Sequence, residues 1–386
     1  MDVDYLILGG GCAGLGLAVN FINSDLRDKR ILILEGREKY KRDKTWCSWD
    51  VYPHQFRDAI SHTWLNYKFA SKNSEAIFTG GKCNYYHINS FDYYQYAQKI
   101  INSTDNVELR MSTRVEEIIP QDDFVLVNTP GEIIRAKYVF DGRLPKLPDE
   151  KMLQGKTGYL VETFLGCHVI AEKPIFDPTT AVIMDSNFLS EGTFGFYNVL
   201  PFNSYEALVE PTLLYKSYSE LKKQFNMKIA HQWVRDYLVL GCNYKDDYKI
   251  CYEEHEILPM IDFVKYNKHS HPRVYAIGTA AGLLRPGSTY AFISIQRYNE
   301  ELVKRLLVTE FPEPPSGHSD LVKRIDNFLL KKAYYMNTSH QFVDSILKGV
   351  ENISADTYAL FMHDCLTADS TKDFAKNANM ALFLKS

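Results

Sequence analysis

Gly9, Gly11 and Gly14 stand at GxGxxG spacing, and Glu35 follows Gly14 by twenty-one residues. Glycines so placed allow a tight turn, let a pyrophosphate approach the backbone, and bring a helix close to a strand. The free N–H groups and positive end of that helix would hold the phosphates. An acid at the distance of Glu35 can bind the ribose hydroxyls of an adenosine, and it would repel a 2′-phosphate. The chemistry indicated is dinucleotide binding, and the motif alone fits NAD and FAD equally. A second turn of small residues, Gly278-Thr279-Ala280-Ala281-Gly282, is followed by Pro286-Gly287-Ser288-Thr289 and a helical pattern. It offers another set of backbone N–H groups to an anion or a flavin edge. Two such sites in one chain favour FAD over a simple nicotinamide dehydrogenase.

These residues need particular elements beneath them. Tyr5 to Leu8 form a short apolar strand, residues 15–22 continue as a helix without a breaker, and 30–34 form a second strand ending at Glu35. This is the start of a Rossmann-like α/β domain. A charged loop then leads to Thr45-Trp46-Cys47-Ser48-Trp49-Asp50, whose tryptophans suit a wall over a ligand or a plain apolar anchor equally well. Residues 61–80 alternate like strands. Ser90 is placed to cap a helix reaching about 101. Further strands are expected at 107–111 and 115–119, with a hairpin around Pro130-Gly131 and a buried strand at 137–140 that runs into Asp141-Gly142-Arg143.

From 158 to 210 the pattern changes: strand-like runs at 159–170, 181–184, 194–200 and 205–210 follow one another with turns and no helix between them. Strands joined so closely must be antiparallel. They predict an inserted substrate sheet, closed on one face by a helix over 217–240. The chain then returns to the cofactor domain through a strand at 274–278 and a helix from 290 to about 307 with Ile295, Tyr298, Leu302 and Leu306 on one face. Pro312, Pro314 and Pro315 form a linker, and the rest is a helical cap. The domains expected are 1–155 with 250–310 for the cofactor, 156–249 for the substrate, and 311–386 for the cap.

Composition narrows the function class. With 386 residues, 45% hydrophobic and 24% charged, the chain reads as a soluble protein with room for two or three domains. A net charge of -4 argues against a nucleic-acid partner. Seven cysteines without a C-x-x-C pair read as reduced cytosolic thiols. The N-terminus lacks the features of a signal peptide, and no apolar run approaches the length of a membrane span. His269 and His271 have no Cys or carboxylate ligands near them in sequence, so no metal site is expected. Aromatic residues make up 13% of the chain, which suits a large apolar substrate or an aromatic core.

Several stretches together resemble the lycopene cyclases of the bacterial and plant flavoprotein type. They are the loop from Gly9 to Gly14, Lys44-Thr45-Trp46-Cys47-Ser48-Trp49, Tyr86-His87-Ile88-Asn89-Ser90, Val139-Phe140-Asp141-Gly142-Arg143, Val182-Ile183-Met184-Asp185, Leu200-Pro201-Phe202, Ala207-Leu208-Val209-Glu210-Pro211-Thr212, Glu254-His255-Glu256-Ile257-Leu258-Pro259-Met260, and Gly278 to Gly282 with Tyr290-Ala291-Phe292 and Ile295-Gln296-Arg297. Their order and spacing carry the likeness, which runs from the N-terminus to about Leu384. Two positions depart from the family pattern. Pro211 stands where a second acid is usual, and Thr279 stands where many flavoproteins have Asp.

The resemblance implies a glutathione-reductase/hydroxylase-like flavoprotein fold. It implies FAD, active in its reduced form, with NAD(P)H as reductant, and cofactor contacts from Gly9, Gly11, Gly14, Glu35, Asp141, Gly278, Thr279 and Gly282. The implied reaction is proton-initiated closure of β-rings on lycopene, giving γ- or β-carotene without net redox change. It needs an acid, exclusion of water and stabilisation of a carbocation. Glu210 carries over as the acid, at the end of a substrate-sheet strand, where an apolar tunnel would keep it protonated. Asp185 is a weaker candidate, and Glu254 is placed to shape the flavin side. A polyene substrate dissolved in the bilayer implies a cytoplasmic protein attached peripherally to the membrane. The alternatives are an FAD monooxygenase or isoprenoid reductase on the same fold, and a non-catalytic carotenoid-binding flavoprotein.

Overall fold

A computed structural model describes residues 1–144, 159–189, 192–265, 271–336 and 338–379. Its first sheet is built on the expected apolar runs. Strand β1 (Asp2–Leu8) lies between β2 (Ile31–Leu34) and β11 (Glu132–Asp141), with β8 (Val107–Arg110) beyond β2 and β17 (Val274–Ala276) against β11, all parallel. The hairpin partner β10 (Val125–Thr129) and then β9 (Glu117–Pro120) continue the sheet antiparallel. The second arm of the expected hairpin and the strand expected at 137–140 are one continuous β11. Strands β1, β2 and β11 end together, at Leu8, Leu34 and Asp141, so the loops that follow them converge.

Helix α1 (Cys12–Ile22) packs on this sheet at very short range. A Cβ on Gly14 would lie 1.9 Å from the Gly9 carbonyl oxygen, so only glycine permits the approach. The helix Phe292–Val308 packs on α1, where Asn299 Nδ2 donates to the Ala13 carbonyl at 2.9 Å.

The second sheet has the order β16-β12-β15-β14-β13-β5-β6. Its middle is the expected series β12 (Leu160–Ala171), β13 (Thr180–Asp185), β14 (Gly195–Pro201) and β15 (Glu206–Tyr215). Three details differ from the sequence reading. β5 (Asn66–Ala70) and β6 (Glu75–Phe78) extend the sheet from the N-terminal part of the chain, and β5 pairs β13 in parallel. β16 (Tyr248–Met260) forms the other edge, so the boundary placed at 249/250 falls inside a strand held along its length by β12. The boundary at 155/156 lies outside the described residues. The helix expected over 217–240 is broken into Tyr218–Gln224 and Met227–Asp236, followed by a wide turn at Tyr237–Gly241. The break comes at Phe225, which is extended, and at Asn226, whose side chain accepts from the Ile229 N–H and caps the second helix.

A three-stranded ribbon, β3 (Thr45–Trp49), β7 (Tyr85–Asn89) and β4 (His62–Trp64), completes the strands. Alternation along β3 aims its residues two ways. Trp46 packs against the core of the first sheet, while Cys47 and Trp49 join the core over the second sheet. The second sheet therefore has two apolar faces. One packs against the helices of 218–241, and the other, holding Leu160, Phe196, Leu208 and Leu214, packs under the C-terminal helices.

Candidate active site

The dinucleotide loop has the geometry its glycines suggest. Gly9 adopts φ +98°, a conformation favouring glycine. A Cβ on Gly11 would meet nothing within 4 Å, so open space lies where a pyrophosphate would approach, and no side chain caps α1. Glu35 is buried at the end of β2. Its Oε2 accepts from the Gly10 N–H at 2.7 Å, and its Oε1 accepts from the Arg37 N–H at 2.8 Å. Burial opposes its charge, but hydrogen bonds from Arg37 and Gly10 hold its carboxyl below the usual range, so it stays an acceptor. Arg37 was missed in the sequence. Its guanidinium lies 4.9 Å from the ring centroids of both Tyr40 and Tyr94, which stack on each other, and no short motif signals that contact.

The second turn meets the first. Gly278 (φ +63°) is so close to α1 that a Cβ there would lie 2.8 Å from Ala13 Cβ, and Gly282 (φ +74°) ends the turn. Thr279 is half-buried between them. Asp141, at the end of β11, is buried and its carboxylate accepts from Arg143 Nε at 2.8 Å. These residues fit a dinucleotide laid across the strand ends. The loop beyond is pinned from the C-terminal helices: Arg285 and Asp326 form a buried ion pair at 2.9 Å, and Asp326 Oδ2 accepts from the Gly287 N–H.

On the second sheet, three strands place acids side by side. Gly166 of β12 is the register partner of Glu254 on β16, and it lies opposite Glu210 of β15. A Cβ on Gly166 would lie 3.2 Å from Glu254 Oε1 and 3.3 Å from Glu210 Oε2, so the two carboxyls face one slot that the glycine leaves open. Glu210 does not end its strand. β15 continues through Pro211 to Tyr215, and Pro211, with no N–H to give, coincides with a gap in the β12–β15 ladder beside Gly166.

Asn198 Nδ2 donates to Glu210 Oε1 at 2.9 Å, which fixes that oxygen as an acceptor and leaves Oε2 for a proton. Burial, reinforced by the charge of Glu254, pushes the Glu210 carboxyl up to about 8. Glu254 is raised as well, by burial, and Tyr252 Oη donates to its Oε2 at 2.8 Å. Glu162, absent from the sequence reading, completes the group with Thr289, which follows the second turn. Glu162 lies on the same face of β12, where burial raises it to about 7, and Thr289 Oγ1 donates to its Oε1 at 2.8 Å. Its two-residue spacing from Leu160, which puts both on one face of the strand, was the available signal, but the apolar run around Glu162 hid it.

Opposite these acids stand Cys47, Trp49, Tyr85 and Tyr290. The Trp49 and Tyr85 ring centroids are 4.5 Å apart, and the Tyr85 and Tyr290 hydroxyls are 2.8 Å apart. Glu210, Cys47 and Tyr290 retain accessible surface, yet each is deep enough for burial to be the largest influence on its ionisation. They line an interior space. The arrangement can hold a proton on a carboxyl, keep water scarce and present aromatic faces to a cation.

Asp185 is elsewhere. It pairs with Tyr197, whose ring lies in the core on the other face of the sheet, and its Oδ1 accepts from the Asn187 N–H. The physical reason is the irregular register of β13, which shifts between Val182 and Asp185. On that same face Cys167, His231 and Glu253 bring ligand-type atoms within 4.8 Å of one another. His231 and Glu253 satisfy each other as an ion pair at 2.7 Å, and burial raises the Cys167 thiol to about 12. His269 lies outside the described residues.

A family model described as lycopene cyclase protein matches residues 4–376. Among solved structures, a geranylgeranyl bacteriochlorophyll reductase-like protein from Thermoplasma acidophilum superposes with a TM-score of 0.64 at 13% identity, covering 97% of this chain and 96% of the other. A flavoprotein/dehydrogenase from Cytophaga hutchinsonii gives 0.63 at 13%, with 97% and 96% covered. The halogenase PltM in complex with phloroglucinol and FAD gives 0.59 at 14%, with 97% and 85% covered. No curated protein sequence matches the chain. The fold is that of FAD-binding flavoproteins.

Proposed function

Since this chain belongs to the lycopene cyclase family, we propose that it closes β-rings on an acyclic carotenoid of the lycopene class by proton transfer, without net redox change. The observation that carries the reading is the carboxyl of Glu210, which faces an interior space and is raised to about 8. At neutral pH it holds its proton. Asn198 orients the group so that Oε2 delivers the proton to the terminal double bond, and the next double bond closes on the resulting tertiary cation. Trp49 and Tyr85 pack behind Tyr290 and exclude water, and Tyr290, which keeps accessible surface, offers its ring to that cation. Glu254 adds negative charge beside the acid.

The cofactor we assign is FAD, held by Gly9 to Gly14, Glu35 and the Gly278–Gly282 turn, with NAD(P)H as its reductant. Reduced FAD, when bound, would supply negative charge to stabilise the cation. No helix among the described residues is long and apolar enough to cross a membrane. We assign a peripheral position at the bilayer, where such a polyene dissolves, and salt or carbonate washing should release the protein.

Expression in a lycopene-accumulating host tests the reading through product mass. Cyclisation leaves the mass of the pigment unchanged while altering its retention and absorption. Added oxygen would point to a monooxygenase, added hydrogen to a reductase, and unaltered pigment to a binding protein.

A further inference from the structure

All three buried acids meet a hydroxyl, Thr212 for Glu210, Tyr252 for Glu254 and Thr289 for Glu162, and that of Thr289 also lies against a backbone carbonyl. The Thr289 hydroxyl lies 2.8 Å from Glu162 Oε1 and 2.7 Å from the Ser288 carbonyl oxygen. A hydroxyl has one proton to give and lone pairs to receive. When Glu162 is ionised, Thr289 donates to it. When Glu162 is protonated, Thr289 turns its proton to Ser288 and accepts from the carboxylic acid. Both protonation states of this buried carboxyl are thus hydrogen-bonded, a condition that a group must meet if it gains and loses a proton in each turnover.

The local backbone is held for this purpose at a cost. Thr289 is a β-branched residue at φ +58°, a conformation rare for such a side chain and found where surroundings impose it. The surroundings are on hand: Thr289 N–H donates to the Arg285 carbonyl at 2.8 Å, and Arg285 is locked to Asp326. Glu162 also shares its sheet face with Glu210, four residues along β12 from the Gly166 slot, and the two carboxyls interact electrostatically.

We propose that Glu162 accepts the proton that leaves the ring carbon, and thereby decides which ring double bond forms. The inference rests on the cyclase reading above. In the step, a ring C–H bond breaks, its electron pair becomes the ring double bond and quenches the cation, and the proton passes to Glu162 Oε1 or Oε2. Glu162 enters as carboxylate and leaves as acid. Glu210 enters as acid and leaves as carboxylate. A proton returned from Glu162 to Glu210 through the interior or through solvent resets the site, with no atom or electron gained.

Glu162→Gln keeps the shape and the contact to Thr289 but cannot accept the proton. With FAD retained, conversion should fall by about 10²-fold or more. The product should also become a mixture in which the ring double bond lies in and out of conjugation, read by chromatography and absorption at unchanged mass. Thr289→Val should give the same mixture to a lesser degree, and Thr289→Ser should restore the single wild-type isomer. If Glu162→Gln does not fold or makes no product, the Thr289 pair decides. A single wild-type isomer from the variants that turn over, at any rate, overturns the assignment of Glu162 alone. A wild type that leaves the polyene acyclic overturns the cyclase reading, and this assignment with it.

Discussion

Gly166→Ala is the smallest change that should disturb the acid slot without touching an acid. Gly166 has no positive φ, so its strand backbone accepts alanine. The added Cβ is the difficulty: it would lie 2.9 Å from Glu254 Cγ, 3.2 Å from Glu254 Oε1 and 3.3 Å from Glu210 Oε2. Ordinary contact begins at 3.4 Å, so Cγ must retreat by roughly half an ångström, and both carboxyl oxygens are pushed from the slot they share. Overpacking of this kind costs about 1–3 kcal/mol of stability. Misplacing a reacting group by about 1 Å costs on the order of 10²-fold in rate, so roughly half that shift should lower turnover by about 10-fold. The assay is pigment conversion by purified enzyme on lycopene in liposomes, with flavin absorbance and circular dichroism as controls. Full activity in a folded, flavin-loaded variant would refute the slot as the place of proton delivery.

Gly11→Val should fold, because a Cβ there meets nothing, yet lose the yellow flavin colour, because the side chain fills the pyrophosphate's approach; full flavin occupancy would make the loop structural only. Asp326→Ala strands the Arg285 guanidinium in the core, which should cost about 3–5 kcal/mol in urea unfolding and loosen flavin retention, since the same carboxylate holds the Gly287 N–H. Turnover should fall as pH rises through about 8, where Glu210 loses its proton, and Glu254→Gln should move that limb to lower pH by removing a charge that raises Glu210. The stability that Glu210 contributes has the same sign: its folded pKa is raised from 4.5, so the contribution is intact below that value and lost as pH climbs through about 8.

The parts of the fold that a local pattern determines were legible. The glycine spacing before α1, the apolar runs of β1 and β2, and the close succession of β12 to β15 each follow from backbone freedom or period, and the chain folds accordingly. Longer-range facts were not. Nothing local shows that β5 leaves the first part of the chain to pair β13, or that β16 carries the sheet past the expected boundary. Glu210 was singled out through resemblance, but its place in mid-strand depended on reading through Pro211. Glu162 was invisible because its meaning lies in Thr289, 127 residues away, and in Gly166, whose missing side chain opens the slot. Asp185 was misplaced for a related reason, since one irregularity in β13 sends it to the opposite face.

The central claim is that Glu210 gives the proton that starts ring closure, and deuterium labelling tests it most directly. Its carboxyl exchanges with water, so turnover of lycopene in D₂O should leave deuterium in each new ring, measured by mass spectrometry of the product. Glu210→Gln, with flavin and fold intact, should lower that labelled product by about 10²–10⁴-fold. Unlabelled rings from the wild type, or labelled rings formed at a near-normal rate by Glu210→Gln, would contradict the account.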